Sequence, residues 1–481
     1  MEYEPIIGLE IHIQLKTHTK IFCNCSTEFG GFQNTFTCPI CAGFPGTLPV
    51  LNQKAVEYAV KAGVALNCTI NKFSKFDRKN YFYPDLPKAY QISQFDKPLC
   101  LNGHIDIEIN GQKKRIRINR IHLEEDAGKL VHSEDDFANA EFSLADYNRC
   151  GTPLIEIVSE PDMQTPDEVY YYMQMIKTIM EYIEVSDCNM QEGSLRCDAN
   201  VSVRPKGEKK LGTKVELKNM NSFKNVRDAV EYEINRQIKE LEFGGKIIQE
   251  TRLWDTKNNI TISMRSKEES HDYRYFPEPD LLPIELSNEY IESIKKSLPE
   301  LYLEKKHRFM NEYGLSEYEA SVITIDKNIA NYFEECTKYI KNYKLISNWL
   351  INDLLGLLNT NKIKITDCKI KPENFAELLA LIEAEKISSK IAKEIFPELF
   401  ETGKSPSKII EEKGLIQISD DNILREIVKK ILSENQDTVT KYKQGNKKVL
   451  GFIVGQIMKN TGGKANPKLV NTIIEEEIIK L

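Results

Sequence analysis

The chain has 481 residues, of which 41% are hydrophobic and 28% are charged, and its formal net charge is −7. These values exclude a fibre, a disordered chain and a small disulfide scaffold, and at roughly 100–200 residues per domain the length allows two to four domains. No stretch approaches the roughly 18 consecutive apolar residues of a membrane span, and no signal-peptide pattern is present. We therefore expect a cytoplasmic protein without a membrane partner, whose 11 cysteines are reduced.

Alternation of apolar and polar residues dominates the first part of the chain and predicts strands. A helix is also marked there: Thr165 is placed to cap it, Pro166 suits its first position, and Glu168 completes a capping box. A second helix is predicted at 222–242. The predicted strands are 6–15, 116–123, 197–204 and 214–218.

The strand pattern stops after the proline-rich segment 275–283, and helical spacing follows from about Asn288 onward. A break at 401–407 separates a last segment. We expect an α+β protein with three domains. They are a mixed, largely antiparallel sheet domain with helices at 1–290, an all-helical domain at 291–404 and a small helical tail domain at 405–481.

Two close cysteine pairs form the sharpest local pattern. Cys23 and Cys25 are followed, after 12 residues, by Cys38 and Cys41. Such a loop can place four thiolates tetrahedrally around Zn²⁺, and four cysteines leave no open position, so the predicted metal at 23–41 is structural. The alternative is four buried free thiols.

The polar faces of the predicted strands form the second pattern. Glu10 and His12 share the face opposite the apolar residues of the first strand, about 6.6 Å apart along it. Hard oxygen ligands favour Mg²⁺, which in proteins usually serves a nucleotide phosphate, whereas the competing interpretation is a solvated sheet face. Spacing does not show whether the strands are neighbours. The other strands contribute Glu124, Glu125, Asp126, Asp198, Asn200, Lys214, Glu216 and Lys218.

The common ATP-binding signatures are missing. The chain has no GxxxxGK[ST] loop, no GxGxxG after a strand and no HRD with DFG. It also has no glycine- and serine-rich amidase signature.

A resemblance to a known family rests on long, ordered segments spread over nearly the whole chain. The chain resembles the B subunits of the aspartyl/glutamyl-tRNA amidotransferases. The matching segments include IGLEIH (7–12), HLEEDAG (122–128), DYNRCGTPLIEIVSEP (146–161), EGSLRCDANVS (192–202) and GFIVGQIMK (451–459), with 75–84, 88–94, 216–223 and 272–279.

The resemblance implies an ATP-dependent carbon–nitrogen ligase with glutamine as amide donor. ATP would phosphorylate the side-chain carboxylate of Glu-tRNA(Gln), Asp-tRNA(Asn) or both, and ammonia would then displace the phosphate. Catalysis would involve Glu125, Glu10, His12 and Arg149. The Mg²⁺ candidates are Glu10, His12, Glu124, Glu125, Asp198 and Glu216, and the nucleotide candidates are Lys79, Lys88, Asp198 and Lys218.

The resemblance also implies partners. Because the chain lacks an amidase signature, ammonia would come from a glutaminase A subunit, with a small C subunit completing a heterotrimer. The competing interpretation of Lys79, Lys88, Arg149 and Lys218 is that they are surface cations.

The tail resembles the helical domain shared with YqeY-type proteins. Between Arg425 and Lys468 there are ten basic and three acidic residues, a net charge of +7 in 44 residues. This charge predicts contact with tRNA phosphates, although a charged run is also typical of a solvated helix face. The tRNA candidates are Lys447, Lys448, Lys459, Lys464 and Lys468.

Two other functions stay open at this point. A stand-alone Mg²⁺/ATP carboxylate ligase would explain the acidic strand faces but not the basic tail. A zinc-containing tRNA-binding module without catalysis would explain the cysteines and the tail but not the recurring carboxylates.

Overall fold

A computed structural model of the chain describes residues 2–109, 111–132, 142–266, 273–415, 421–444, 446, 449–461, 465 and 467–480. The chain divides into two compact units, Met1–Leu301 and Tyr302–Leu481. The first is a mixed sheet with helices and the second is helical, so the predicted α+β class is confirmed. The division into three domains stays a prediction.

Among its described residues, the first unit contains 16 strands. They are β1 (Tyr3–Gln14), β2 (Thr69–Ile70), β3 (Phe73–Ser74), β4 (Asp77–Asn80), β5 (Tyr90–Ser93), β6 (Cys100–Ile109), β7 (Gln112–Glu125), β8 (Lys129–His132), β9 (Ser143–Asp146), β10 (Pro153–Ser159), β11 (Leu195–Pro205), β12 (Val215–Lys218), β13 (Glu250–Asp255), β14 (Ile260–Ser266), β15 (Phe276–Pro277) and β16 (Ile284–Glu285).

Nine strands form one sheet in the order β14-β13-β12-β11-β1-β10-β7-β6-β2. Neighbouring strands are antiparallel, except that β12 and β13 are parallel. All four strands predicted from alternation belong to this sheet. Three small sheets, β15-β4-β5, β16-β3 and β8-β9, complete the unit.

Helices cover one face of the large sheet. The odd-numbered residues of β1 from Ile7 to Ile13 are buried on that face, where α1 contacts β7, α2 contacts β6 and α3 contacts β11. The other face therefore carries the polar side chains of the same strands. The helices of this unit are α1 (Gln53–Ala65), α2 (Pro166–Tyr182), α3 (Phe223–Glu242) and α4 (Asn288–Ser297).

The start of α2 differs in one detail from the predicted capping box. Thr165 Oγ1 accepts a hydrogen bond from the Glu168 backbone N–H at 3.2 Å, as expected. Glu168 Oε2, however, accepts from the N–H of Gln164 at 2.6 Å rather than from that of Thr165. The same carboxylate also binds Lys114 Nζ at 2.8 Å, which draws it away from the cap residue.

The second unit consists of helices with two separate apolar cores. One core extends from Phe309 to Ile410 and the other from Leu424 to Ile478. Within the described part of the chain, no helix combines the length and the apolarity that crossing a membrane requires. The helices are α5 (Tyr302–Tyr313), α6 (Glu317–Thr324), α7 (Lys327–Thr337), α8 (Tyr343–Trp349), a π-helical turn (Leu350–Leu354), α9 (Leu355–Asn361), a 3₁₀ turn (Ile365–Asp367), α10 (Pro372–Glu383), α11 (Ser389–Thr402), α12 (Pro406–Glu412), α13 (Asp421–Glu434), α14 (Gln436–Lys443), α15 (Leu450–Asn460) and α16 (Pro467–Lys480).

A buried carboxylate joins α3 to the edge of the sheet. Glu233 has no solvent exposure and accepts hydrogen bonds from Arg236 at 2.6 Å, Gln237 at 2.9 Å and Thr261 at 3.1 Å. Replacing Glu233 by Ala removes the buried acceptor that these three donors share. We expect the free energy of unfolding to fall by about 3–5 kcal/mol, measured by urea denaturation.

The matched control is Glu231→Ala, because Glu231 is exposed on the same helix. It should change the free energy of unfolding by less than about 0.5 kcal/mol. Equal losses in the two variants would contradict the stabilising role of the buried network around Glu233.

Candidate functional site

A row of charged residues crosses four strands on the polar face of the large sheet. His12 on β1 lies opposite Glu156 on β10 and Arg196 on β11, and Glu156 lies opposite His122 on β7. Side chains directly opposite one another in antiparallel strands are close enough to interact. The register therefore brings two imidazoles, a carboxylate and a guanidinium together.

Three members of this region can hold a cation. Nε2 of His12 lies 3.4 Å from Oε2 of Glu156 and 3.8 Å from Oε1 of Glu124. The three ligand atoms lie within 4.8 Å of one another, and both carboxylates are buried. One imidazole nitrogen with two carboxylates is a donor set that accepts a divalent ion.

His122 supports the same carboxylates. Its Nε2 lies 3.5 Å from Oε2 of Glu124 and 3.4 Å from Oε2 of Glu156. Ser93 also donates a hydrogen bond to Oε2 of Glu124 at 3.1 Å. The two carboxylates are thus held by groups on β5 and β7 as well as by His12.

The ionisation of the cluster favours cation binding. Burial alone would raise the pKa of Glu156, but the charges of His122 and His12 and a hydrogen bond from His12 outweigh burial and lower it. Burial would lower the pKa of His12, but the hydrogen bond and charge of Glu156 outweigh burial and raise it. Glu156 therefore favours its ionised form, and a cation held here would compete with the proton that the raised pKa of His12 favours.

A second acidic group lies on the β1, β11 and β12 part of the same face. Asn200 donates to Oε1 of Glu10 at 3.0 Å, and Lys218 Nζ lies 2.6 Å from Oδ2 of Asp198 and 3.3 Å from Oε1 of Glu216. Burial and the charges of Glu156, Glu216 and Asp198 raise the pKa of Glu10. Four predicted residues, Glu10, Asp198, Glu216 and Lys218, are therefore brought together.

Lys79 lies near the cluster but comes from a different sheet. Its Nζ lies 4.9 Å from the ring centre of Tyr273 and 5.7 Å from that of Tyr81, and no described carboxylate lies within 4.0 Å of it. Burial lowers the pKa of Lys79, but the charges of Glu124 and Glu156 outweigh burial and raise it. Lys79 is thus a partly buried cation that can accept an anionic ligand.

Arg149 borders a large open cavity. Its Nε lies 3.7 Å from Oδ2 of Asp126, which also binds Arg196 at 2.9 Å and Gln14 at 2.7 Å. The cavity has a volume of about 670 Å³, and Arg149, Arg196 and Asp198 are part of its wall. Two guanidinium groups beside a carboxylate-rich strand face can bind a phosphorylated or polyanionic substrate.

Glu125 and Lys88 lie together in a separate place. By strand alternation the Glu125 side chain is on the face of β7 opposite Glu124, and its Oε1 binds Lys88 Nζ and the N–H of Ile92. Both residues line a cavity of about 230 Å³ beside Cys23 and Cys41. The structure therefore does not group Glu125 with the other predicted carboxylates, and Lys88 is a partly buried ion-pair partner of Glu125.

The four predicted cysteines converge. Sγ of Cys41 lies 4.0 Å from that of Cys25 and 3.9 Å from that of Cys38, and all four Sγ atoms lie within 4.8 Å of one another. Thiolates bound tetrahedrally at about 2.3 Å from zinc are about 3.8 Å apart. The cluster therefore fits one tetrahedral metal ion without rearrangement of the loop.

Most of the predicted tRNA contacts cannot be placed. Lys447, Lys448 and Lys464 lie outside the described residues, and only the backbone of Lys468 is described. Lys459 is exposed near the end of α15. Arg425, in contrast, is held by Asp421, Glu476 and Glu477 within the tail.

Sequence reasoning missed four residues of the site: His122, Asp126 as a partner of arginines, Glu156 and Arg196. The signal for Glu156 is a single acid within the otherwise apolar segment 153–158. A lone buried carboxylate in such a strand requires a partner. Arg196 and His122 alternate with apolar residues as Glu10 and His12 do.

Comparison with known proteins follows the same division of the chain. Residues 5–292 match the family described as the GatB/GatE catalytic domain, and residues 331–478 match the family described as the GatB domain. A protein of Caldanaerobacter subterraneus subsp. tengcongensis, named as the B subunit of an aspartyl/glutamyl-tRNA(Asn/Gln) amidotransferase, is 59% identical over 480 residues. Proteins of the same name from Caldicellulosiruptor bescii and Brevibacillus brevis are 58% and 55% identical.

Each of these alignments covers 100% of this chain and 100% of the relative. The catalytic-domain match includes the strands that carry the His12, Glu124 and Glu156 cluster. From this full-length similarity we conclude that the chain belongs to the family of aspartyl/glutamyl-tRNA(Asn/Gln) amidotransferase B subunits.

Proposed function

We propose that the chain activates and amidates the side-chain carboxylate of Glu-tRNA(Gln), Asp-tRNA(Asn) or both, in the cytoplasm. The cluster of His12, Glu124 and Glu156 beside the partly buried cation Lys79 is the observation that carries this proposal. It joins ligands for a divalent ion to a positive group for a phosphate. Phosphoryl transfer requires mainly these two features and correct positioning.

The proposed reaction has two steps. A side-chain carboxylate oxygen of the mischarged amino acid attacks the γ-phosphorus of ATP, the bond to the β,γ-bridging oxygen breaks, and ADP leaves. Ammonia then attacks the acyl carbon, phosphate leaves with the bonding electrons, and the nitrogen loses a proton to give the amide. Phosphorylation is needed because a carboxylate oxygen is a poor leaving group.

The residues of the sheet face have distinct roles in this scheme. His12, Glu124 and Glu156 would hold Mg²⁺, and the ion, when bound, neutralises phosphate charge. Lys79 would bind a phosphate oxygen. Glu10, Asp198 and Glu216, oriented by Lys218 and Asn200, would form a further set of oxygen ligands beside the first.

The arginines of the large cavity would bind the substrate end of the tRNA. Arg149 and Arg196 share the buried carboxylate of Asp126, so their guanidinium groups are held at fixed positions. The cavity of about 670 Å³ has room for a terminal nucleoside with its amino acid. Its wall includes Asp198, which links it to the acidic face.

The chain needs a source of ammonia. The names of the relatives describe one subunit of an amidotransferase, which indicates an assembly with other subunits. We propose a heterotrimer in which a glutaminase A subunit releases ammonia from glutamine and a small C subunit completes the complex. The pair of Lys88 and Glu125 would act apart from the metal cluster, in the smaller cavity.

The direct test uses the chain purified with its A and C subunits. Mischarged Glu-tRNA(Gln) and Asp-tRNA(Asn) are incubated with ATP and either glutamine or ammonium chloride, and ADP and amidated tRNA are measured. ADP and amide should form together with either nitrogen source. If no ADP forms in any combination, the alternative of a tRNA-binding module without catalysis replaces this proposal. ADP formation with free glutamate alone would favour a stand-alone ligase.

The metal cluster gives a prediction about Mg²⁺. Glu156→Gln removes a charged ligand, so the Mg²⁺ concentration for half-maximal ADP formation should rise at least about tenfold. Glu4→Gln is the control, because Glu4 lies on the same face of β1 but pairs with Arg204 at 2.6 Å. An unchanged Mg²⁺ requirement in Glu156→Gln would contradict the assignment.

Glu125→Gln, measured in the same titration, tests whether Glu125 also serves as an Mg²⁺ ligand. An increase equal to that of Glu156→Gln would place Glu125 among the ligands. A normal Mg²⁺ requirement with reduced amide formation would assign it a role in the second step.

The cysteine cluster gives a prediction about zinc. The purified chain should contain one zinc ion per molecule, and Cys41→Ser should lose it because three thiolates hold the ion less tightly. Metal content is measured by inductively coupled plasma mass spectrometry. Cys368→Ser is the control, since Cys368 lies in the second unit, and its zinc content should equal that of the unchanged chain.

The tail gives a prediction about salt dependence. We propose that its basic residues bind tRNA phosphates, so the double variant Lys447→Gln and Lys448→Gln should weaken tRNA binding. The magnitude of the negative slope of log K against log salt concentration should decrease by about 1–2. Binding is measured by fluorescence anisotropy at several potassium chloride concentrations. Lys54→Gln with Lys61→Gln, on α1, removes the same charge and should leave the slope unchanged.

A further inference from the structure

Lys20 is a lysine with no solvent exposure at the base of the cysteine loop. Its Nζ donates to the carbonyl oxygens of Phe36 at 2.7 Å and Tyr147 at 3.3 Å, and it lies 3.6 Å from Sγ of Cys41. Among the described residues, no carboxylate oxygen lies within 4.0 Å of this ammonium group. Carboxylates therefore do not balance its charge at close range.

A fully buried ammonium group without a charged partner is strongly unfavourable. Within the described part of the chain, the group closest to it that can carry negative charge is the thiolate of Cys41, at 3.6 Å. Four thiolates around one divalent ion carry a net negative charge, which they present to Lys20 in a site shielded from water. The charge of Lys20 and that of a metal-bound cysteine cluster thus compensate each other.

Lys20 also joins two loops. Its bond to the Tyr147 carbonyl reaches the segment 145–151, which carries Arg149. Other contacts connect the same segments: Ile21 N–H donates to Gly151 O at 2.8 Å, and Phe36 N–H donates to Oδ1 of Asn148 at 2.8 Å.

Gly151 lies directly against the cluster. Its φ of +77° favours glycine, and a Cβ there would lie 3.6 Å from Cβ of Cys41 and 3.6 Å from Cδ of Lys20. Arg149 is two residues away and lines the large cavity. The cysteine cluster is therefore in direct contact with the segment that carries Arg149.

We propose that Lys20 is a positioning residue that couples the four-cysteine metal site to the segment 145–151 and so places Arg149 in the substrate cavity. The metal site would then help to position Arg149 in addition to stabilising the cysteine loop. This inference rests on metal binding by the cysteines, but not on the ATP-dependent step.

The test compares Lys20→Met with Lys20→Arg and with Lys16→Met, whose side chain is exposed four residues earlier. Zinc transfer to the chelator 4-(2-pyridylazo)resorcinol should be at least tenfold faster in Lys20→Met. Lys20→Arg, which keeps the positive charge, should be closer to the unchanged chain, and Lys16→Met should equal it. Normal zinc release in Lys20→Met would overturn the proposal.

Hydrogen exchange tests the coupling to Arg149 independently of the variants. Removing zinc from the unchanged chain with a chelator should increase amide exchange in 146–151, while exchange in α3 should stay the same. Unchanged exchange in 146–151 would overturn the coupling even if Lys20→Met fails to fold.

A kinetic readout on the assembled enzyme separates positioning from general damage. Lys20→Met should raise KM for the mischarged tRNA while the Mg²⁺ requirement for ADP formation stays normal. A changed Mg²⁺ requirement with normal KM would contradict the proposed role. If the unchanged enzyme forms no ADP, the proposed function fails, but the zinc-release and exchange results still test Lys20.

Discussion

The site depends on one constraint: strand β1 has one face in the apolar core and the other on the polar surface of the sheet. This strand is hydrogen-bonded on both sides in the middle of the large sheet, by β10 and β11. Its odd-numbered residues fill the core under the helices, so its even-numbered residues have to form the opposite face. A shift of one residue in register would move Glu10 and His12 into the core. The favourable burial of the apolar residues therefore also fixes the position of the charged residues.

The acidic group of Glu124 and Glu156 and the acidic group around Glu10 differ in how nearby positive charges compensate them. Glu124 and Glu156 have imidazoles beside them, whereas Glu10 has an amide from Asn200 and three acidic neighbours. The ammonium of Lys218 offsets Asp198 and Glu216 but leaves Glu10 without a cation of its own among the groups that affect its pKa. Added positive charge beside Glu10 would therefore lower its pKa and stabilise its ionised form.

Local patterns predict the parts of the site that depend on a single segment. Period-two alternation places Glu10, His12, Asp198 and Glu216 on polar strand faces, and the cysteine spacing predicts a cluster that the structure confirms. Glu156 is missed because β10 is buried on both faces and has the sequence of a continuous apolar run. The position of Lys79 depends on β4 pairing with β15, about 200 residues later, and no local pattern contains that register. From the sequence, both Glu124 and Glu125 are candidates for Mg²⁺ because both are carboxylates. Adjacent residues of a strand, however, have side chains on opposite faces of the sheet.

The position of β1 in the sheet has a consequence for synthesis on the ribosome. Its partners are residues 153–159 and 195–205, so neither edge of the strand can be paired until those segments have left the ribosome. At about 5–20 residues per second, the amphipathic segment from Ile7 to Ile13 waits roughly 10–40 s for both neighbours. During that interval both edges of an amphipathic strand are unpaired and its apolar side is uncovered, so the exposed segment is prone to aggregation until β10 and β11 emerge.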